Sequence, residues 1–142
     1  MSAPSAPSST YAGQRLGMPA TGPGSIAGWG RRFAALAVDW VACLLVAAAL
    51  TGGRSFTSDG AESWLTLLVF LVEATVLTWL LGGSFGQAAL GVAVVHLDRT
   101  RLNPVAAFVR TLLICLVVPP LFTDADRRGL HDLATASVPV RR

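Results

Sequence analysis

The chain has 142 residues, 53% of them hydrophobic and 13% charged, with mean hydropathy +0.59 and net charge +3. A soluble domain carries about 25% charged residues, so this composition excludes an ordinary water-soluble globule and points to lipid as the solvent. The eleven basic residues are all Arg, and they flank apolar runs instead of alternating with aromatics, which argues for membrane-flanking charge and against a nucleic-acid surface.

Residues 1–28 are rich in Pro, Ser, Gly and Ala and show no apolar periodicity. Such a stretch buries too little surface to offset its ordering entropy, so it is expected to be a disordered cytoplasmic tail. Residues 29–142 are then expected to form one membrane domain.

Residues 33–50 predict a first spanning helix, about 27 Å long. Arg31 and Arg32 stand at its mouth and Asp39 inside it. Arg32 and Asp39 are seven residues apart, nearly two turns, and share a face with roughly 10 Å between them along the axis. An Asp in a membrane helix costs about 2.5–3.5 kcal/mol on insertion scales, so it needs partners. Ala35, Asp39, Cys43 and Ala47 recur every four residues as a small-residue stripe suited to close helix contact, so Asp39 is expected to face protein. A cleavable signal peptide is disfavoured, because Asp39 interrupts the apolar run and another apolar run follows.

Residues 51–63 predict an outer loop carrying a single Arg. Residues 64–81 predict the second span, with Trp64 and Trp79 near its ends and Glu73 near its centre on the face of Thr66. Asp39 and Glu73 lie at similar depth, and two carboxylates meeting in low dielectric do not both ionise easily. Glu73 is better explained as a protonated, hydrogen-bonded acid in a helix contact.

Gly82, Gly83, Gly86 and Gly91 break helix continuity, Ser84 can cap a short helix over 85–90, and 91–97 predicts a strand. No phosphate loop or dinucleotide fingerprint is present, and His96 lacks a spaced partner for a metal. Asn103-Pro104 opens a third apolar segment, 105–122. Arg110 in its first turns either snorkels to the interface or pairs with Asp39. Pro119-Pro120 end or kink it. Residues 123–142 begin with the charged set Asp124, Asp126, Arg127, Arg128, His131 and Asp132 and close with a weakly alternating strand. Asp132 beside His131 is better explained as an anchor for Arg side chains than as a catalytic pair. Three full spans would leave the basic C-terminal stretch outside, against the positive-inside tendency. A third segment that enters and returns avoids this, with the two strands paired on the cytoplasmic face.

The order of these pieces resembles the RDD family of bacterial membrane proteins. The resemblance rests on RRFAALAVD (Arg32, Asp39), GGSFGQ at 82–87, GVAVVHLD, Arg110, and RGLHD ending at Asp132, over roughly 29–140. Gln87 and Ser84 depart from the Lys and Thr frequent in the family. The resemblance implies a membrane location and transport with an undefined ligand, ion/proton antiport having been suggested for some members.

The expectation is therefore an all-α membrane protein with two transmembrane helices, a third membrane-embedded helical segment and a short cytoplasmic hairpin-like strand pairing. It is expected in the bacterial cell membrane, multipass, with a cytoplasmic N-terminus. Arg32, Asp39, Glu73, Arg110 and Asp132 are the candidate polar network, serving either proton or ion coupling or only the fold of a structural or interaction protein. Neither a cofactor, a metal nor an enzymatic reaction is expected. Besides the bilayer, the expected partner is a second copy or a larger membrane complex.

Overall fold

The computed structural model describes residues 9–57, 60–116 and 126–142. Its longest element is α1, Trp29–Thr51. At about 1.5 Å per residue it reaches about 35 Å, and it is the one helix among the described residues long and apolar enough to cross a hydrocarbon core. Its buried positions are Ala35, Asp39, Cys43 and Ala47, the small-residue stripe. Phe33, Trp40, Val41, Leu45 and Leu50 point outward and stay exposed.

A 3-10 turn, Ala61–Trp64, leads into α2, Leu65–Leu81. Its buried stripe also recurs every four residues: Thr66, Phe70, Ala74 and Thr78. Phe70 and Ala74 pack on Cys43 of α1, and Val69, Ile114 and Cys115 close around them. Small side chains on both helices let the backbones approach closely, and Phe70 fills the remaining space.

The chain then turns sharply into α3, Phe85–Ala89. Ser84 and Gln87 form a reciprocal capping box: the Ser84 hydroxyl accepts from Gln87 N, and Gln87 Oε1 accepts from Ser84 N at 3.1 Å. Next comes β1, Val92–His96, and then α4, Pro104–Cys115. Asn103 caps α4 by accepting from Ala106 N at 2.7 Å, and Pro104 occupies its first turn, where no N–H is needed. After α5, Leu130–Ala134, strand β2, Ser137–Arg141, runs antiparallel to β1 with Val92 opposite Arg141 and His96 opposite Ser137.

The stretch expected as a disordered tail is ordered from residue 9 to residue 28. Gly24 N donates to Arg141 O, Arg141 N to Ser25 O, and Ala27 N to Pro139 O, so residues 24–27 flank β2 on its other side. Met18 and Ile26 are buried against Val138 and Val140. The composition argument fails here because the stretch needs no core of its own: the apolar face of β2 supplies one. Residues 1–8 lie outside the described residues.

These pieces form a polar cap at the start of α1. The chain leaves it along α4, which is only about 18 Å long, and by Asp126 it is back in the cap, where Gly13 N donates to the Asp126 carboxylate at 3.1 Å. Pro119-Pro120, the expected kink, lies outside the described residues.

Gly86 is where α3 touches α1. A Cβ built there would run into the Ala35 carbonyl oxygen and lie 3.0 Å from the Asp39 carboxyl carbon. Gly86→Ala is expected to cost about 3 kcal/mol by overpacking, visible as a lowered melting midpoint in detergent. Gly30→Ala, which meets nothing within 4 Å, should leave that midpoint near wild type.

Candidate functional site

The site is built from two polar clusters around one cavity. The first centres on Asp132, in α5, which is fully buried. Its Oδ1 lies 2.8 Å from Arg110 Nη1 of α4, and its Oδ2 lies 3.6 Å from Arg32 Nη1 of α1. Gly129 N donates to Oδ2 at 3.1 Å, closing the first turn of α5. Arg110 is itself 3% exposed, so this ion pair is removed from solvent.

Arg32 does more than face Asp132. Its Nε donates to Ala27 O at 2.9 Å and its Nη1 to Arg127 O at 2.6 Å. Its guanidinium also stands 5.4 Å from the Trp29 ring centroid, and Trp29 stacks on Phe33. One planar, multi-donor group thus ties the residues before α1 to those before α5.

His131 completes this cluster, its Nε2 3.4 Å from Asp132 Oδ1. Burial, and then the Arg110 charge, push its pKa down to about 4, against the opposing pull of Asp132. The imidazole is neutral near pH 7. Gly129 leaves room for it: a Cβ there would fall 2.5 Å from His131 Cε1 and push the ring aside.

The second cluster centres on Asp39, which is 2% exposed. The Ser84 hydroxyl donates to Oδ2, and the Gly86 N–H donates to Oδ1. Glu73 of α2 accepts from the adjacent Phe85 N–H at 2.7 Å through Oε1, while its Oε2 is buried without a hydrogen bond. Two acids from two helices therefore hold the start of α3, whose first N–H groups have no partner within that helix.

Neither of the two roles open to Arg110 is taken: it is buried, so it does not snorkel, and it meets Asp132 instead of Asp39. Among the described residues Asp39 has no ion pair; its oxygens are taken by a hydroxyl and a backbone N–H. The reason is geometric: the glycine turn brings orphan donors to Asp39, while α5 presents a carboxylate directly to Arg110.

A cavity of about 80 Å³ joins the clusters. Arg32, Arg110 and His131 line it from one side, Asp39, Ser84 and Gln87 from another, and Phe33, Leu36 and Phe70 supply apolar wall. It is large enough for a few water molecules among polar partners. The sequence-based set thus splits into Arg32, Arg110 and Asp132 on one side and Asp39 and Glu73 on the other. Ser84, Gly86, Gln87 and His131 were missed as members. The capping signature of Ser84 with Gln87 three residues on was a usable signal for two of them; nothing in the spacing announced that α3 would dock on Asp39.

The RDD family model matches residues 26–136. No curated protein and no solved structure matches the chain.

Asp132→Asn removes the carboxylate facing two guanidiniums and is expected to destabilise the fold by about 3–5 kcal/mol. Replacing both partners, Arg110→Met with Asp132→Leu, should cost less than the sum of the single replacements, measured by thermal unfolding in detergent. His131 sets a pH dependence of definite sign. Its folded pKa, about 4, lies below the ordinary 6.5, so between these values the unfolded chain binds more protons and stability falls as pH is lowered from 6.5 toward 4. The part due to His131 is on the order of 3 kcal/mol, and it should vanish from the pH profile of His131→Gln relative to wild type.

Proposed function

The chain belongs to the RDD family, a family of membrane proteins, and from that premise we propose that it couples a proton or a small cation to transport through the cavity between Asp39 and the Arg32–Arg110–Asp132 cluster. The observation that carries this reading is a cavity lined by a buried carboxylate, Asp39, on one side and by the guanidiniums of Arg32 and Arg110 on another. With Asp39 ionised and His131 neutral, the charges of Arg32, Arg110, Asp132 and Asp39 cancel. A proton or cation arriving at Asp39 upsets that balance, which gives the site two charge states to alternate between. Neither a cofactor nor an enzymatic reaction is part of the proposal.

In the proposed arrangement α1, and the Ala61–Trp64 turn together with α2, cross the bilayer of the cell membrane. α4 enters and returns, since it is short and the chain is back at the cap by Asp126. Arg54 is the single arginine in the segment between α1 and α2, so the cap and N-terminus are assigned to the cytoplasm. Three short segments enclose little space, and a second copy or a larger membrane partner would complete the pathway.

One observation favours a different reading. Both oxygens of Asp39 already serve the fold by holding α3, as expected if the network only maintains structure in a non-catalytic membrane or interaction protein. Reconstitution separates the two. In liposomes loaded with a pH-sensitive dye, added Na⁺, K⁺ or Li⁺ should change the signal for wild type and not for Asp39→Asn that inserts normally. No cation response from folded wild type, or failure of Asp39→Asn to accumulate in the membrane, would favour the structural role.

A further inference from the structure

We infer that Arg31, Arg101 and Arg142 form a site for the phosphodiester headgroup of an anionic phospholipid at the cap end of α2. The inference rests on assigning the cap to the membrane surface, but not on transport. Three separate parts of the chain supply these residues: Arg101 and Arg142 reach adjacent carbonyls at the end of α2, and Arg31 joins them through the Leu90–Gly91 backbone that Arg142 N also holds. Arg101, from the turn between β1 and α4, donates through Nη1 to Leu80 O at 3.2 Å. Arg142, after β2, donates through Nη2 to Leu81 O at 2.6 Å, and its own N–H donates to Gly91 O at 2.8 Å. Arg31, in the first turn of α1, donates through Nη1 to Leu90 O, the carbonyl next to Gly91.

Leu80 and Leu81 end α2. Their carbonyls belong to the last turn of the helix, which lacks intrahelical donors and carries partial negative charge. Arg101 and Arg142 are therefore fixed at the level where α2 leaves its apolar surroundings, with Arg31 held at Leu90 O beyond α3. All three are exposed, and none has a carboxylate partner among the described residues. Each guanidinium has five N–H groups and commits one of them to a backbone carbonyl. The remaining donors are available for the two unesterified oxygens of a phosphodiester, which a planar fork binds bidentately. Beside them Trp79, Leu80, Leu81 and Phe85 are exposed. That is the apolar surface acyl chains would cover while the headgroup reached the arginines. A zwitterionic lipid offers the same phosphate, but its own cation opposes a cluster of three positive charges; phosphatidylglycerol has none.

The test uses the full chain in neutral detergent with equal amounts of phosphatidylglycerol and phosphatidylcholine, and counts retained lipid by native mass spectrometry. Wild type should retain phosphatidylglycerol preferentially. Each Arg→Gln replacement should weaken that preference roughly fivefold, and the triple replacement should abolish it. Arg54→Gln, in the other connection, should leave it unchanged. The triple Arg→Lys variant keeps the charge without the fork and should retain part of the preference; it also serves if the triple Gln variant fails to fold. Equal retention of both lipids by wild type, undiminished preference in the folded Gln variants, or displacement of the lipid by millimolar inorganic phosphate would overturn the proposal, the last pointing to a simple ion site. A chain that stays soluble without detergent and retains neither lipid would instead remove the membrane assignment beneath it.

Discussion

The structure depends on a carboxylate sealed away from water and met by arginines from two other helices. Asp132 in that position is tolerable only if Arg110 and Arg32 reach it, and this requirement has consequences beyond the pair. Arg110 lies in the second turn of α4, close to where that helix begins. Asp132 comes later in the chain, in α5 just ahead of β2. For the two to meet, the chain must come back to the end of α4 it started from. The ion pair and the β1–β2 ladder impose the same return, one through charge and the other through backbone hydrogen bonds. This return also lets Arg32 bond Arg127 O, binding the entry of α1 to the approach to α5.

The acids inside the apolar helices are accommodated differently. Charge partners were expected for Asp39, and what it receives is the start of a very short helix. A helix of five residues has most of its N–H groups without intrahelical acceptors, so packing its start at Gly86 against α1 would be unfavourable on its own. Burying Asp39 without donors would be unfavourable as well. Bringing the two together removes both penalties, and Ser84 adds a hydroxyl to the exchange. Gly86 is what permits the approach, since any side chain there would displace the α1 backbone. Glu73 follows the same logic at Phe85, with one oxygen left over.

Much of the architecture was legible because it follows local rules. The four-residue recurrence in α1, the Ser84 and Asn103 caps and the alternation in the two strands each fix an element without reference to the rest of the chain. Residues 9–28 were misread because their order is borrowed: two apolar side chains, Met18 and Ile26, cannot form a core, but they can extend one already made by Val138 and Val140. Within the site, the residue types were legible and the pairings were not. An apolar run containing an acid shows that a partner is needed; whether that partner is a guanidinium or an N–H depends on contacts made 45 or more positions away, as for Asp39 with Ser84. His131 was hidden for a related reason. Among the charged residues of 124–132 nothing in the sequence marks it as buried, and its own burial, with the Arg110 charge beside it, is what lowers its pKa.

The cavity makes the two networks one system on the proposed reading. Arg32 and Arg110 hold Asp132 on one side and line the space facing Asp39 on the other, so a change of charge at Asp39 alters the field at the ion pair that keeps α4 and α5 together. A change there also acts on α3, whose first N–H groups Asp39 and Glu73 hold. The elements most exposed to such a change are thus the short α3 and the returning segment, rather than α1 and α2, whose contact is apolar. Any movement linked to ion or proton binding should accordingly be confined to the pieces hung on charges, with the α1–α2 pair acting as the fixed frame.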